Sequence, residues 1–394
     1  MIPARPARAA DRAWLLAGLR ALGRRQPPRL PPGGVDWHAE IDAADTEDLL
    51  PALASILAAG RWAGVPAGAR DRLIHGAAAS RARHLVMTAE LGRVLRRCRA
   101  EGLPVMVLKG PALAETVYPD PTLRPFSDLD LLVRPADRLR MDAVLRDLGH
   151  RRVADEHSWD FDIAYDGATL YEAPVSVRVD LHWSLLTEPR FVCNRAEQAA
   201  VWERAVPLTV AGEPALGLGR EDLVLYLATH LAVHHALAGL LRYWDLALIL
   251  EHSQGELDWD ALLARAARWR VRRALFFVLR GVGSAFGSSV PPPVLAALRP
   301  AGPRAALLAA MVRAGDRGRL ERLEYLVTLL LVDRARDLYG ALRQALWPPA
   351  DWLRARYGLA AGSRVALYLT HVRRLGGVIG GATGALVGGA SGRR

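Results

Sequence analysis

Apolar residues recur along this chain with two periods, and the change of period divides it. Residues 42–102 repeat at helical spacing. Leu49, Leu50, Leu53 and Ile56 form one stripe, and Leu85, Val86, Leu91, Val94 and Leu95 a second, with Gly60 and Pro66 between them. From residue 103 the runs shorten. Residues 104–108 read as a buried strand and residues 128–133 as another. A helix is predicted over 111–117, behind Gly110 and with Pro111 in its first position, where a missing N–H is harmless. A further helix is predicted over 135–148, with Leu139, Val144, Leu145 and Leu148 inward. Residues 161–165 and 169–172 flank Asp166-Gly167, a hairpin signal. Across 175–181, Val175, Val177 and Val179 alternate with Ser176, Arg178 and Asp180, which predicts a strand with one polar face. Helical periodicity returns over 221–298 and again over 304–371, where Trp347-Pro348-Pro349 breaks it. No internal repeat is visible.

This pattern predicts an α+β protein: a small mixed β-sheet core over 103–220, N-terminal helices over 42–102 and a C-terminal helical region over 221–375. Residues 1–41 read as a flexible Arg/Pro-rich arm with room for one short helix. Residues 376–394 form a glycine-rich tail. In it Gly376, Gly380, Gly384 and Gly388 recur every four residues, a spacing that lets helices approach closely. Glycine nevertheless disfavours helix in water, so a disordered tail is expected.

Composition narrows the class. At 394 residues, 51% of them hydrophobic, the chain has ample material for a core, and global disorder is excluded. A net charge of +11 favours anionic partners. The charge is dispersed and no stacking platform is interleaved with it, so nucleic acid is not the indicated partner. The two cysteines, Cys98 and Cys193, form neither a zinc spacing nor a disulfide framework, which fits a reducing cytoplasm. No clean signal-peptide core opens the chain. Residues 223–241 lack formal charge but hold His230, His234 and His235, so they read as a buried helix of a globular unit rather than a membrane span.

The basic residues are 51 arginines and one lysine, Lys109. Where charge alone matters, arginine has replaced lysine throughout, so Lys109 reads as a position that needs a compact ammonium. Lys109 and Gly110 fall at a predicted strand-to-helix junction, where free N–H groups favour an anion. Asp128 and Asp130, two apart on a strand, project together. Side by side they repel unless a cation sits between them, and oxygen ligands suit Mg²⁺ or Mn²⁺ with a substrate phosphate. Asp180, on the polar face of a later strand, is the candidate third acid. Such a set serves displacement at phosphorus. Arg124, stiffened by Pro121 and Pro125, is expected to face the same site.

Leu108-Lys109-Gly110, Tyr118-Pro119-Asp120, Arg124, Ser127 through Val133, and Asp180-Leu181-His182-Trp183 resemble the uncharacterised nucleotidyltransferase family of the DNA polymerase β-like superfamily. The segment from His230 to Arg242-Tyr243-Trp244-Asp245 resembles that family's region after the catalytic unit. The likeness spans roughly residues 45–375. This chain departs from the wider superfamily in having lysine before the helix, Pro111 rather than serine after Gly110, and a longer step from Gly110 to Asp128. The resemblance implies a mixed sheet with flanking helices, Mg²⁺ and a nucleoside triphosphate. Asp128, Asp130 and Asp180 would hold metal, with Lys109, Gly110, Arg124 and Ser127 on the nucleotide. A nucleoside monophosphate would pass to an acceptor hydroxyl or similar group on a small molecule or peptide. The acceptor is not named by the sequence. His182, His230, Arg242 and Asp245 are expected near it, although the spacing of His230 and His234, with no adjacent acid, favours a packed helix with partly buried histidines. The alternatives are a nucleotide-binding or regulatory module without turnover, and a nucleic-acid-binding protein.

Overall fold

The computed structural model describes residues 13–28, 31, 33–153, 167–186, 195–288, 290–314, 320, 323–357 and 367–373. Helices α1 (Ala13–Gly23), α2 (Trp37–Thr46), α3 (Leu50–Ala59) and α4 (Ala67–Ala100) precede strand β1 (Met106–Val107). Helix α5 (Lys109–Thr116), strand β2 (Asp128–Leu132) and helix α6 (Arg138–Asp147) follow. Next come β3 (Arg151–Arg152), β4 (Ala168–Glu172), β5 (Arg178–His182), α7 (Arg195–Glu203), β6 (Val206–Val210) and β7 (Glu213–Gly217). Helices α8 (Arg220–His234), α9 (Leu240–His252), α10 (Trp259–Trp269) and α11 (Arg272–Phe286) open a helical remainder.

Among the described residues the strands form one mixed sheet in the order β3-β4-β5-β2-β1-β7-β6. At its centre β2 runs parallel to β5 and antiparallel to β1. The α+β architecture is thus the one the hydrophobic pattern predicts. Each sheet face backs a separate core. Val107, Leu129, Leu131, Val179 and Leu181 pack with Met87, Leu91, Val94, Leu95 and Cys98 of α4 and with Met141, Val144 and Leu145 of α6. Met106, Leu108 and Leu132 on the other side join the large core of the N- and C-terminal helices. The strand period of two therefore turns one set of side chains to each core, and the acidic set lies on the helical side.

Several local expectations need correction. Residues 1–41 are not simply an arm, because α1 buries Trp14, Leu15 and Leu19 in the helical core. Leu85 and Val86 are exposed, since the buried stripe of α4 runs through Met87, Leu91, Val94 and Cys98. Leu139 is exposed in the first turn of α6, and Met141 takes the inward place. Val175 is exposed as well. It lies in the turn joining β4 to β5, closed by Val177 O accepting from Ala173 N at 2.8 Å, so the strand begins at Arg178. Helix α5 begins at Lys109, two residues ahead of Pro111. The β6–β7 hairpin, unforeseen in the pattern, turns through Ala211 and Gly212, both with positive φ (54° and 72°), the geometry that suits a two-residue hairpin. The expected strand at 161–165, the glycine-rich tail and Cys193 lie outside the described residues. Among the described residues no helix is long and apolar enough to cross a membrane.

Candidate active site

The parallel register of β2 and β5 sets Asp130 opposite Asp180 and Leu132 opposite His182. Alternation then puts Asp128, Asp130, Asp180 and His182 on one face, while Leu129, Leu131, Val179 and Leu181 anchor the other. Asp130 is buried. Its Oδ1 accepts from Lys109 Nζ at 2.6 Å and lies 3.2 Å from His182 Nε2. The same Nε2 is 3.2 Å from Asp180 Oδ2, so one imidazole ties the two strands' acids together.

The electrostatics follow from this crowding. Burial opposes the charge on Asp130, but Lys109 and His182 outweigh it and hold the carboxyl below its ordinary value. Burial likewise works against a charged His182, yet Asp180 and Asp130 push it up to about 9. Asp128 moves the other way. Burial and the neighbouring Asp130 raise it to about 6, with Asp180 adding to the rise and Lys109 opposing it. An acid so displaced by its neighbours is one that a cation would relieve.

Lys109 is itself in the left-handed region, with φ of 46°, which throws its side chain from the strand end back toward β2. Its ammonium also lies 5.8 Å from the centroid of the Tyr226 ring on α8. Packing by itself requires glycine at 110. A Cβ there would stand 2.6 Å from Phe126 Cβ, so helix α5 can pack on the loop before β2 only without a side chain. Arg124 is fully engaged. Its Nε and Nη2 donate to Asp245 Oδ1 and Oδ2 at 2.7 and 2.8 Å, and Tyr118 Oη donates to Oδ1 at 2.6 Å. The bidentate pair fastens the loop before β2 to α9. Arg124 and Asp245 therefore form part of the site wall as a closed pair.

These groups border a cleft of about 660 Å³ between the sheet, the N-terminal helices and the C-terminal helices. Asp128, Asp130 and Asp180 line it together with Lys109, Gly110, Arg124, Ser127, His230, Arg242 and Asp245. The structure thus gathers around one cavity all the expected residues except His182, which borders a smaller adjoining cavity of about 110 Å³ shared with Lys109 and Asp180. Asp48 and Arg83, from the N-terminal helices, also border the cleft and were not foreseen. Tyr226 was also missed, although Tyr226, His230 and His234 fall four apart on α8 and so share one line of that helix. His235 completes the histidine cluster from the end of the helix.

Each of three ligand atoms, one from Asp130, one from Asp180 and one from His182, lies within 4.8 Å of the others, a spacing able to hold a metal ion. An Asp-x-Asp strand with a third aspartate on its parallel neighbour faces the cleft, and the family match identifies the chain as a nucleotidyltransferase, an enzyme of the transferase class. Residues 33–287 match the model of the uncharacterised nucleotidyltransferase family, and the chain belongs to that family. Two solved structures are similar to part of it. The crystal structure of ANT(2″)-Ia in complex with adenylyl-2″-tobramycin has a TM-score of 0.34 and 18% identity, covering 48% of this chain and 98% of that one. The solution structure of the antibiotic-resistance factor ANT(2″)-Ia has a TM-score of 0.33 and 16% identity, covering 50% and 98%. No curated protein matches the chain.

Proposed function

We propose that the protein transfers a nucleoside monophosphate from a nucleoside triphosphate to an acceptor hydroxyl, with Mg²⁺ or Mn²⁺ bound at Asp128, Asp130 and Asp180. The observation that carries this reading is the convergence of Asp128, Asp130 and Asp180 on one sheet face, with Lys109 and His182 in direct contact with Asp130 and His182 also with Asp180. The donor set fits the metal: carboxylate oxygens suit Mg²⁺ and Mn²⁺. When bound, the ion neutralises phosphate charge and favours the ionised acceptor oxygen.

The chain's own groups do the rest. Lys109 gives a point charge to the triphosphate, and Ser127 at the cleft adds a hydroxyl donor. Asp180 stands on the acceptor side and takes the hydroxyl proton. As the acceptor oxygen bonds to the α-phosphorus, the bond from that phosphorus to the bridging oxygen breaks and pyrophosphate leaves. His182 holds Asp130 and Asp180 in register across the two strands. Arg124 works through position, fixing the loop that carries Ser127 against α9.

The test is incubation of the full chain with nucleotides labelled at the α-phosphate, Mg²⁺ or Mn²⁺ and a panel of acceptors, reading both pyrophosphate and labelled product. Label transfer that disappears in Asp130→Asn is expected. Nucleotide binding without turnover in any combination would favour a regulatory module instead.

A further inference from the structure

Exposed apolar side chains are spread unevenly over this molecule. Among the described residues, eight of the seventeen large ones lie between residues 335 and 373, beyond the residues that match the family. Scattered singly, such side chains need no explanation. Gathered in one region, they mark a surface that something else covers.

Two helical pieces build this face. Helix Ala335–Leu346 has an inner side, where Leu338 packs on the large core, Ala341 is buried, and Asp337 accepts from Arg270 Nη1 at 3.2 Å. Its other large apolar residues, Tyr339, Leu342 and Leu346, fall three and four apart and so line one stripe, and all three are exposed. Arg336 and Arg343 stand three before and four after Tyr339, along the edge of that stripe, and both are exposed. Trp347 follows the helix, its N–H donating to Arg343 O at 2.6 Å, and is 72% exposed. Its ring still meets the ring of His371, with centroids 5.1 Å apart, which seats the helical residues 367–373 beside it. Tyr368, three before His371, shares that side of the segment and is exposed too.

The charge around this face has one sign. Residues 335–374 hold seven arginines and two aspartates. Both aspartates are engaged, Asp337 by Arg270 and Asp351 by Arg354. Among the described residues, Arg343 and Arg373 have no carboxylate partner. The eighteen residues that follow, 375–392, carry no formal charge. Whatever covers the face must therefore take up apolar tips and supply negative charge. A second copy brings the wrong sign, because its own face sets the same arginines opposite. A nucleic acid brings the charge but gives Leu342 and Leu346 nothing to enter. The surface of a bilayer containing anionic lipid brings both. Tryptophan and tyrosine suit the headgroup level, where one end of the ring system is apolar and the other wet. An apolar stripe edged by arginines sinks into the acyl boundary while the guanidinium groups meet lipid phosphates. At 12 residues, about 18 Å, the helix is too short to cross a hydrocarbon layer of ~30 Å, so it lies along the surface.

We infer that helix Ala335–Leu346, Trp347 and residues 367–373 dock on the surface of an anionic lipid bilayer, with Tyr339, Leu342, Leu346 and Trp347 entering the interface and Arg336, Arg343 and Arg373 on the headgroups. The inference is independent of the transfer reaction: it assigns where the chain works rather than what it transfers.

The experiment is co-sedimentation of the full chain with vesicles of phosphatidylcholine alone and of an equal mixture of phosphatidylcholine and phosphatidylglycerol. Binding to the mixed vesicles is expected, weakening as salt rises. Leu346→Gln with Trp347→Gln should weaken it about tenfold or more, because the apolar area that enters the interface is lost. Arg343→Gln with Arg373→Gln changes only exposed side chains and should weaken it roughly fivefold for each arginine removed. Leu139→Gln, at an exposed apolar position on α6, should bind like the parent. No binding, equal binding to both vesicle types, or parent-like binding by both double variants overturns the inference. Binding that survives both double variants and falls instead with Ile379→Gln and Leu386→Gln assigns the contact to the glycine-rich tail and also overturns it. Self-association in sedimentation velocity, abolished by Leu346→Gln with Trp347→Gln in a chain that ignores vesicles, gives the face to a second copy and overturns it as well.

Discussion

Two buried acid–base clusters border the same cleft, and they are paired differently. In the first, one carboxylate, Asp245, receives two guanidinium N–H groups from Arg124 and the hydroxyl of Tyr118. Its charges cancel and its geometry is closed. In the second, Lys109 and His182 meet Asp130 and His182 also meets Asp180, with Asp128 on the same sheet face. Among the described residues no ion pair reaches Asp128, which lies at the edge of the cavity and is pushed up to about 6 by burial and its neighbours. The first cluster holds the wall in place. In the proposed reaction, the second receives a cation that arrives with substrate. Burial alone does not separate these roles; pairing of charge and access to the cleft do.

The largest expected effect breaks the second cluster. Asp130→Asn should lower transfer roughly a thousandfold or more while leaving the circular dichroism spectrum unchanged, because it removes a carboxylate proposed to hold the metal at the reacting phosphate. Parent-like turnover in that variant would end the claim that the second cluster is catalytic.

The matching cut in the first cluster should act on stability. Asp245→Asn leaves the buried Arg124 guanidinium without its counter-charge, a change expected to cost about 3–5 kcal/mol in denaturant unfolding. Replacing Arg124 by Met together with Asp245 by Leu should cost less than Asp245→Asn alone. A double variant worse than that single one would show that the pair does more than close on itself.

A smaller effect sharpens the role of Lys109. Lys109→Arg keeps the charge but places a wider, planar head beside Asp130 and the Tyr226 ring, and transfer should fall by up to about a hundredfold through misplacement. Lys109→Ala should fall further. Equal rates for parent and Lys109→Arg would show that any cation suffices there.

Gly110→Ala sets a new methyl group against Phe126 and should destabilise by about 1–3 kcal/mol through overpacking. Phe126→Gly in the same chain, which removes the Cβ that the new methyl meets, should relieve that contact. Undiminished stability in Gly110→Ala would mean that the loop before β2 yields freely.

The smallest effect lies away from the cleft. His150, buried with Nε2 3.1 Å from Glu90, is held below its ordinary value by burial, against the pull of Glu90. The folded chain therefore binds fewer protons there than the unfolded chain. The contribution of His150 to stability is full above about pH 6.5 and declines as pH falls toward the folded value. Unfolding followed from pH 7.5 to 5 should show this slope in the parent and lose it in His150→Gln. An unchanged slope would assign it elsewhere.

What was legible in the sequence was whatever is encoded over a few residues. Asp128 and Asp130 share a face because strands alternate, and Asp180 and His182 repeat the spacing on β5. Lys109 stood out because it has no companion of its kind. What was not legible depends on encounters across the chain. Arg124 could be read as facing the site, but its pairing with Asp245 joins positions 121 residues apart. Gly110 can be read locally as a residue for anion approach, but its packing against Phe126 joins it to the loop before β2 and is not visible in the local pattern. The short apolar pattern of α1 does not reveal that Trp14 and Leu19 meet the C-terminal helices. The β6–β7 hairpin was within reach, since Ala211-Gly212 between two apolar runs is a turn signal that went unread.

The most direct measurement is a titration of the full chain with Mn²⁺, following free ion by electron paramagnetic resonance with and without nucleoside triphosphate, in the parent, Asp130→Asn and Asp245→Asn. Saturable Mn²⁺ binding that tightens with nucleotide is predicted for the parent, lost in Asp130→Asn and retained by the folded fraction of Asp245→Asn. Equal binding in the parent and Asp130→Asn would contradict the assignment of the β2–β5 carboxylates as the metal–nucleotide site.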